Sequence, residues 1–279
     1  MQKLKNKIIS IFLLLLFCVN AHSFELYGDA VQGAMLVGKA KPNSKIVFDG
    51  ISETTGKDGI FVIGLHRSAP KKMKLKVNNE TYYFDVQQRK YLEQRINGLP
   101  NKKVNPPKSL LKRIKKENDE IKKSRKIKTD KLYFTKKWVH PTKGKITGVY
   151  GSRRILNGKP KFPHYGIDYA NKTGTPVIAP QNGKVIMIQE NNFYSGKTII
   201  IEHGKGINTA YLHLQKIYVK VGQELKQGQK IGAIGTTGRS TGPHLDWRIN
   251  WYDKRLDPAL LTGIELGLNP TGKNVDFNF

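Results

Sequence analysis

The sequence is poor in cysteine and in acidic residues. It has one cysteine, Cys18, and 21 acidic residues against 49 lysines and arginines in a chain of 279 residues. Because Cys18 lies in a leader that we expect to be removed, the mature chain needs no disulfide even in an oxidising compartment. The shortage of acids leaves a net charge of +28, which attracts polyanions. No zinc-finger, helix-turn-helix or RNA-binding sheet signature is present, so we expect no nucleic-acid partner.

The first 23 residues have the pattern of a secretory signal peptide. Three lysines among the first seven residues precede an apolar run over 8–19, and Ala21 and Ser23 are the small residues expected before a cleavage site. The run is short for a membrane span, although an uncleaved anchor is the alternative. Phe17 stands where a lipoprotein would need a small residue before its cysteine. We therefore expect export, cleavage near Ser23 and a periplasmic or cell-envelope location.

Residues 24–98 are predicted to form short strands separated by turns. Strand patterns recur between turn signals such as Asp58-Gly59, over residues 34–40, 45–48, 60–63, 73–77 and 81–86. This spacing favours a small β-sandwich of immunoglobulin-like character.

Residues 99–130 are predicted to be a basic helical linker. Pro106-Pro107 blocks a helix upstream, and residues 108–128 then carry ten lysines and arginines against three acids. Leu110, Ile114 and Ile121 form a thin apolar stripe. One interpretation is a solvated helix lying over a domain surface. The other is a docking element for anionic envelope polymers or a membrane surface.

Residues 131–262 again have a strand-and-turn pattern, with Gly and Pro between most of the predicted strands and no long amphipathic helix. We expect a compact, antiparallel β-domain, followed by a polar tail over 263–279. The whole chain is thus predicted to be mainly β.

Histidines and aspartates cluster by spacing in this last region. His164 and Asp168 lie four residues apart, and His244 and Asp246 lie two apart, so on strands each pair would share one face. His213 closes a further predicted strand. Imidazole and carboxylate groups suit zinc, and a catalytic zinc takes three protein ligands and leaves a position for water. His140 and His203 are instead expected to be structural.

The stretch from Lys145 to Arg248 resembles the lysostaphin/LytM-type zinc endopeptidase domain. The pieces that carry the resemblance occur in the family's order over nearly the whole domain: Gly148-Val149-Tyr150-Gly151, His164-Tyr165-Gly166-Ile167-Asp168, Gly174-Thr175-Pro176-Val177, Gly183-Lys184-Val185, Tyr211-Leu212-His213-Leu214 and 238–247. The resemblance implies that His164 and Asp168 are zinc ligands and that His213 and His244 assist catalysis. It implies peptide cross-links of peptidoglycan as the substrate.

Asp246 departs from the family's pattern, which has a histidine as the third zinc ligand at this position. Asp246 can ligate zinc through a carboxylate oxygen; alternatively His244 ligates and Asp246 supports it. One imidazole and two carboxylates would roughly neutralise the ion and acidify its water less. The alternative function is an inactive LytM-like protein that binds the cell wall or activates a cell-wall amidase.

Two further expectations concern the groove around this site. Tyr194, in a predicted turn, either lines a groove for the substrate peptide or packs beside the turn. The N-terminal region and the linker either anchor the protein to the envelope or cover the groove and keep the enzyme latent.

Overall fold

The structure, a computed structural model, describes residues 24–263, so the predicted signal peptide and residues 264–279 of the predicted tail lie outside the described residues. The N-terminal region forms two antiparallel sheets, ordered β1-β2-β5 and β4-β3-β6-β7. Its strands are β1 Phe24–Tyr27, β2 Met35–Ala40, β3 Lys45–Phe48, β4 Ile51–Thr54, β5 Ile60–Gly64, β6 Lys72–Val77 and β7 Glu80–Asp85.

Period-two alternation places one face of these strands in the core. In β6, Met73, Leu75 and Val77 are buried, whereas Lys72 and Lys74 are exposed. Apolar residues from both sheets join one buried cluster. This is the arrangement of a β-sandwich, and the prediction of a mainly β chain with antiparallel sheets is confirmed.

Strand β8 Glu93–Ile96 ends the predicted N-terminal domain, and the linker after it contains two helices, α1 Asn101–Val104 and α2 Lys108–Ser124. Helix α2 ends four residues before the predicted boundary. Of its predicted apolar stripe, Ile114 is buried and Ile121 packs on a small cluster that includes Met187 and Leu212. The helix therefore lies on the C-terminal sheet with its charged face outward.

The C-terminal region is built on a ten-stranded sheet whose main path is β17-β14-β15-β16-β19-β12-β9. Its elements are β9 Lys145–Gly148, β10 Arg153–Leu156, β11 Lys159–Pro160, β12 Ile167–Ala170, β13 Pro176–Ile178, β14 Gly183–Asn192, β15 Gly196–Gly204, β16 Ile207–Ile217, β17 Glu224–Leu225, β18 Lys230–Ile234, β19 His244–Trp251, β20 Lys254–Leu256 and α3 Ala259–Thr262. Strands β10 and β11 leave the sheet, and β10 pairs in parallel with β8, which precedes the linker. All other ladders in this region are antiparallel.

The N-terminal and C-terminal regions pack against each other through a shared core. The rings of Phe48 and Trp251 lie 6.1 Å apart. Arg89 and Asp257 form an ion pair of 2.8 Å in which both side chains are almost fully buried. Apolar residues of both regions belong to one cluster, so no break in the core marks a boundary. The division of the chain at 98 and 130 therefore stays a prediction.

None of the helices that the structure describes is long and apolar enough to cross a membrane.

Candidate metal centre

Two buried carboxylates lie side by side at the centre of the large sheet. Strands β12 and β19 are antiparallel neighbours, and Asp168 is the cross-strand partner of Asp246. Asp168 is 5% exposed and Asp246 is 1% exposed. Like charges directly opposite each other destabilise a sheet, so this register needs compensation from cations.

His164 reaches the same place from outside the strand. It precedes β12 in an irregular segment, where its backbone N–H donates to Ser152 O at 2.9 Å and its carbonyl accepts from Gly151 N at 2.7 Å. Its Nε2 lies 3.1 Å from Asp168 Oδ1. The prediction that one extended strand presents both residues on one face is therefore wrong, because the chain enters β12 only after His164.

The three side chains fit a metal ion. One donor atom each from His164, Asp168 and Asp246 lies within 4.8 Å of the other two. Both ring nitrogens of His164 and Oδ1 of Asp168 are buried without a hydrogen-bond partner among the described residues. Buried polar atoms are almost always partnered. An imidazole and two carboxylates are ligands that suit zinc, and a cation would be the partner of one ring nitrogen of His164 and of Asp168 Oδ1.

Two arginines compensate the carboxylates. Arg154 Nη2 donates to Asp168 Oδ2 at 2.5 Å, and Arg248 donates to both oxygens of Asp246 at 2.9 and 2.5 Å. Burial raises the pKa of Asp246, but Arg248 and His164 outweigh it and hold that pKa well below its usual range. Burial and Asp246 likewise oppose the ionisation of Asp168, yet His164 and Arg154 leave its pKa lowered.

These ion pairs change the expected net charge of the metal centre. The sequence suggested that two carboxylates would roughly neutralise a bound ion. With Arg154 and Arg248 in contact, the two carboxylates are already offset before any ion binds.

The backbone of β9 leaves room for Asp168. A Cβ atom at Gly148 would lie 2.2 Å from Asp168 Oδ2 and 3.1 Å from Arg154 Nη2. Glycine is therefore required here so that the carboxylate and its arginine can approach the neighbouring strand.

His213 borders the cluster on β16 with an unusual backbone. Its φ is 64°, in the left-handed region that non-glycine residues seldom adopt. Its Nδ1 lies 2.7 Å from the carbonyl of Thr237. Because a carbonyl only accepts, Nδ1 carries the proton and Nε2 of the neutral ring is a free base. Burial, together with the neighbouring His244, lowers the pKa of His213 to about 4, so the ring is neutral near pH 7.

His244 begins β19 and faces His213, with ring centroids 4.7 Å apart. Its Nδ1 lies 2.9 Å from the carbonyl of Gly242, which assigns the proton to Nδ1 in the same way. Its Nε2 lies 3.9 Å from Asp168 Oδ1. The site thus has two basic Nε2 atoms beside the cluster of His164, Asp168 and Asp246.

Tyr194 lies in the turn between β14 and β15, at the edge of this site. The Arg239 guanidinium lies 4.4 Å from the centre of its ring, and the ring of Phe193 packs against it at 4.9 Å. The backbone N–H of His213 donates to Ser195 O in the same turn, at 2.9 Å. Tyr194 is half-buried, so it packs in the turn and still presents part of its ring.

The two histidines expected to be structural have protein partners. His203 is fully buried, with Nδ1 2.6 Å from Asn182 O and Nε2 2.7 Å from Thr209 Oγ1. His140 Nδ1 lies 3.1 Å from the hydroxyl of Tyr169. The residues that sequence reasoning missed are Arg154 and Arg248, which no motif marks among 49 basic residues.

The family comparison covers this region. Residues 162–258 match the model of peptidase family M23. Peptidoglycan DD-endopeptidase ShyA of Vibrio cholerae is 43% identical over 109 residues, which are 39% of this chain and 25% of that protein. Lysostaphin of Staphylococcus simulans is 42% identical over 86 residues, 30% of this chain and 17% of lysostaphin. The chain spans about a quarter of the length of the first curated relatives that it matches.

A solved structure extends the likeness to both regions. A Pseudomonas aeruginosa protein assigned to peptidase M23 is 30% identical, has a TM-score of 0.67, and is matched over 85% of this chain and 96% of its own. The family match and this likeness place the chain in the class of metallopeptidases. The chain belongs to peptidase family M23, which is the lysostaphin/LytM-type resemblance seen in the sequence.

Proposed function

We propose that this protein is an exported, zinc-dependent endopeptidase that hydrolyses peptide cross-links of peptidoglycan. The observation that carries the proposal is the convergence of His164, Asp168 and Asp246 beside the free Nε2 atoms of His213 and His244. The family supports the reaction class, and a relative named as a peptidoglycan DD-endopeptidase supports the substrate. The inactive, amidase-activating alternative is not favoured, because the chemistry-bearing residues are present together.

His164, Asp168 and Asp246 would hold the zinc ion. Zinc bound there would polarise the scissile carbonyl and lower the pKa of a water molecule. The alternative with His244 as third ligand has less support, since the donor atoms that lie mutually within 4.8 Å are those of His164, Asp168 and Asp246.

His213 and His244 would handle the proton. Each has Nδ1–H held by a backbone carbonyl, so each presents Nε2 as a hydrogen-bond acceptor. One ring would accept the proton of the attacking water, and the other, once protonated, would donate to the developing oxyanion. The low pKa of His213, about 4, keeps its ring available as a base at neutral pH.

Tyr194 would contact the substrate peptide. Its ring is fixed by Arg239 and Phe193, so it offers a rigid surface beside the catalytic residues. We expect Tyr194→Ala to raise KM with a smaller change in kcat, and Tyr194→Phe to behave like the wild-type protein.

The direct test is digestion of purified sacculi or cross-linked muropeptides by the purified protein with zinc, with the products resolved by chromatography. We expect the wild-type protein and a His66→Ala control to cut cross-links, and His164→Ala to cut none. His66 lies in the N-terminal region, outside the site. The enzyme proposal fails if the wild-type protein releases no product. The same assay identifies which bond is cut.

Export is proposed from residues 1–23. We expect N-terminal sequencing of the protein from an envelope fraction to begin near Phe24. Recovery of the intact N-terminus from the cytoplasm would contradict export.

The linker would bind anionic envelope polymers. At the C-terminal end of α2 lies a cavity of about 310 Å³ lined by three basic residues and one acid, namely Lys122, Arg125, Lys126 and Asp253, together with Ile51, Ser52 and Tyr252. Asp253 lies near Arg125, whose Nε is buried without a hydrogen-bond partner among the described residues.

Sedimentation with insoluble anionic polymer tests this binding. We expect Lys122→Gln/Lys126→Gln to weaken a salt-sensitive association. The matched control, Lys115→Gln/Lys116→Gln, removes two charges from the middle of α2, away from the cavity. Equal loss of polymer binding in the two double variants would mean that net charge alone, and not the cavity, drives the association.

A further inference from the structure

Arg248 and Asp246 form one compact unit within β19. The two residues are two positions apart and lie on the same face of the strand. Nε of Arg248 donates to Oδ1 of Asp246 at 2.9 Å, and Nη2 donates to Oδ2 at 2.5 Å. Such a two-point contact fixes the plane of the carboxylate as well as its charge. Each carboxylate oxygen has a second lone pair, so Asp246 still has acceptor sites for a cation.

The surrounding backbone is shaped around this pair. A Cβ atom at Gly166 would lie 2.7 Å from Asp246 Oδ1 and 2.7 Å from Arg248 Cγ. The glycine therefore admits both members of the pair at once. The Asp246 side chain is 2% exposed and that of Arg248 is 22% exposed, so water does little to screen either charge.

The charge of the pair explains how an aspartate can occupy this position. The family resemblance places a neutral histidine here. An aspartate alone would add a buried negative charge directly opposite Asp168. Arg248 adds a positive charge in contact, and the pair as a whole is neutral, as an imidazole is.

We propose that Asp246 and Arg248 act together as one neutral metal ligand, in which Arg248 is a positioning residue that orients the carboxylate and offsets its charge. The inference rests on the proposed function only in taking this cluster as the metal site. It implies that the two positions are coupled: a histidine at 246 requires the loss of the arginine at 248.

A double-mutant cycle tests the coupling with Asp246→His, Arg248→Gln and the double variant. Zinc affinity is measured by competition with a chelator, and the melting temperature is measured on metal-free protein. In Asp246→His the buried Arg248 charge has lost its partner, so we expect zinc binding at least about tenfold weaker than in the double variant. We expect each single variant to melt about 8 °C lower than the wild-type protein and the double variant to recover most of that loss.

Two controls separate charge from orientation. Arg248→Lys keeps the charge without the two-point contact, and we expect it to melt between the wild-type protein and Arg248→Gln. Lys254→Gln removes a cation from the adjoining hairpin, where Lys254 pairs with Asp49, and should leave zinc affinity unchanged. If Asp246→His does not fold, the comparison of Arg248→Lys with Arg248→Gln still decides whether the pair is a unit.

Additive losses in both measurements would overturn the proposal. So would coupling in the melting temperature with zinc affinity unchanged in every variant, since Asp246 would then not be a ligand. Failure of the proposed function looks different: the wild-type protein would bind zinc and show the coupling, yet cut no cross-link.

Discussion

The N-terminal sandwich and the C-terminal sheet bury different kinds of polar side chain. Between residues 24 and 98 the buried polar residues are Gln32, Ser44 and Thr55, none of which ionises, and the buried Arg89 side chain pairs with Asp257 at the junction with the large sheet. The large sheet buries ionisable residues throughout, among them His164, Asp168, Glu202, His203, Lys205, His213, Asp246 and Asp257. Burying an ionisable group is costly unless it is paired or hydrogen-bonded, so this difference locates function in the C-terminal region.

Burial alone does not mark the functional residues, because the sheet contains two classes of buried ionisable group. Glu202 accepts hydrogen bonds from the backbone of Thr129 and Gly204, and both nitrogens of His203 are engaged. At the candidate metal centre, His164 and Asp168 have buried atoms without hydrogen-bond partners among the described residues. Arg89 Nε and Arg125 Nε also lack hydrogen-bond partners, but only at the site do unpartnered atoms of this kind belong to a group of described residues that could hold a metal ion.

The first prediction separates these two classes. We expect Asp168→Ala to lower peptidase activity by roughly 1000-fold, or about 4 kcal/mol, and to abolish zinc binding. Metal-free stability does not discriminate here, because Arg154 loses its partner while the repulsion from Asp246 is relieved. Glu202→Ala should instead retain zinc and activity but lose about 2 kcal/mol of stability. Urea unfolding measures the stability of both variants, and zinc titration measures their metal binding. If Glu202→Ala also loses zinc, the two classes of buried ionisable group are not distinct.

The second prediction concerns the junction between the two regions. Arg89 pairs with Asp257 in a buried setting, and burial raises the pKa of Asp257 despite the arginine. Arg89→Met leaves a buried carboxylate without its cation and should cost about 3 kcal/mol in urea unfolding. Adding Asp257→Asn removes that charge and should restore most of the loss. A cost below about 1 kcal/mol for Arg89→Met would show that the junction does not depend on this pair.

The third prediction concerns the pH dependence of stability that arises from His203, a buried histidine whose two ring nitrogens both have hydrogen-bond partners. Burial lowers the pKa of His203 to about 4 in the folded protein, against 6.5 when unfolded. Below pH 6.5 the unfolded chain therefore binds a proton at His203, whereas the folded chain does so only as the pH approaches 4. The stabilising contribution is present above pH 6.5 and falls as the pH drops toward 4.

The measurement is the pH dependence of unfolding of metal-free protein. Between pH 8 and pH 5 the wild-type protein should lose about 2 kcal/mol more than His203→Gln, which cannot titrate. His213 is common to both proteins, so its own titration cancels in the difference. Parallel pH profiles would mean that His203 is charged in the folded state.

The sequence predicted the candidate metal ligands and histidines of the site better than the arginines and strand pairings that hold them in place. The two-residue spacing of His244 and Asp246 predicted that they share one strand, and both lie in β19. The role of His213 came from the family resemblance. His164 was found for the wrong geometric reason, since it lies before β12 rather than on it. Arg154 and Arg248 could not be found, because their role depends on register across strands. The pairing of β8 with β10 joins segments about 60 residues apart, which local patterns do not encode.

The smallest predicted effect concerns β8 and the linker after it, which contact the site on two sides. Gln94 accepts from Nε of Arg154, the arginine that holds Asp168, at 3.3 Å. At the other side, Lys103 donates to the carbonyl of Phe193 at 2.6 Å, beside Tyr194. These two contacts allow a test of whether residues 93–104 restrict access to the site. Deleting the whole N-terminal half would expose the shared core, so a point variant is the better test of latency.

Removing one such hydrogen bond, worth about 1 kcal/mol, should open the linker about fivefold more often. We therefore expect Lys103→Ala to raise muropeptide cleavage by up to that factor, with unchanged zinc affinity. Lys102→Ala is the matched control, since Lys102 is an exposed neighbour in α1. Equal activity of both variants and the wild-type protein would mean that the linker does not restrict the groove. The N-terminal half would then act on the site only through the packing that the second prediction measures.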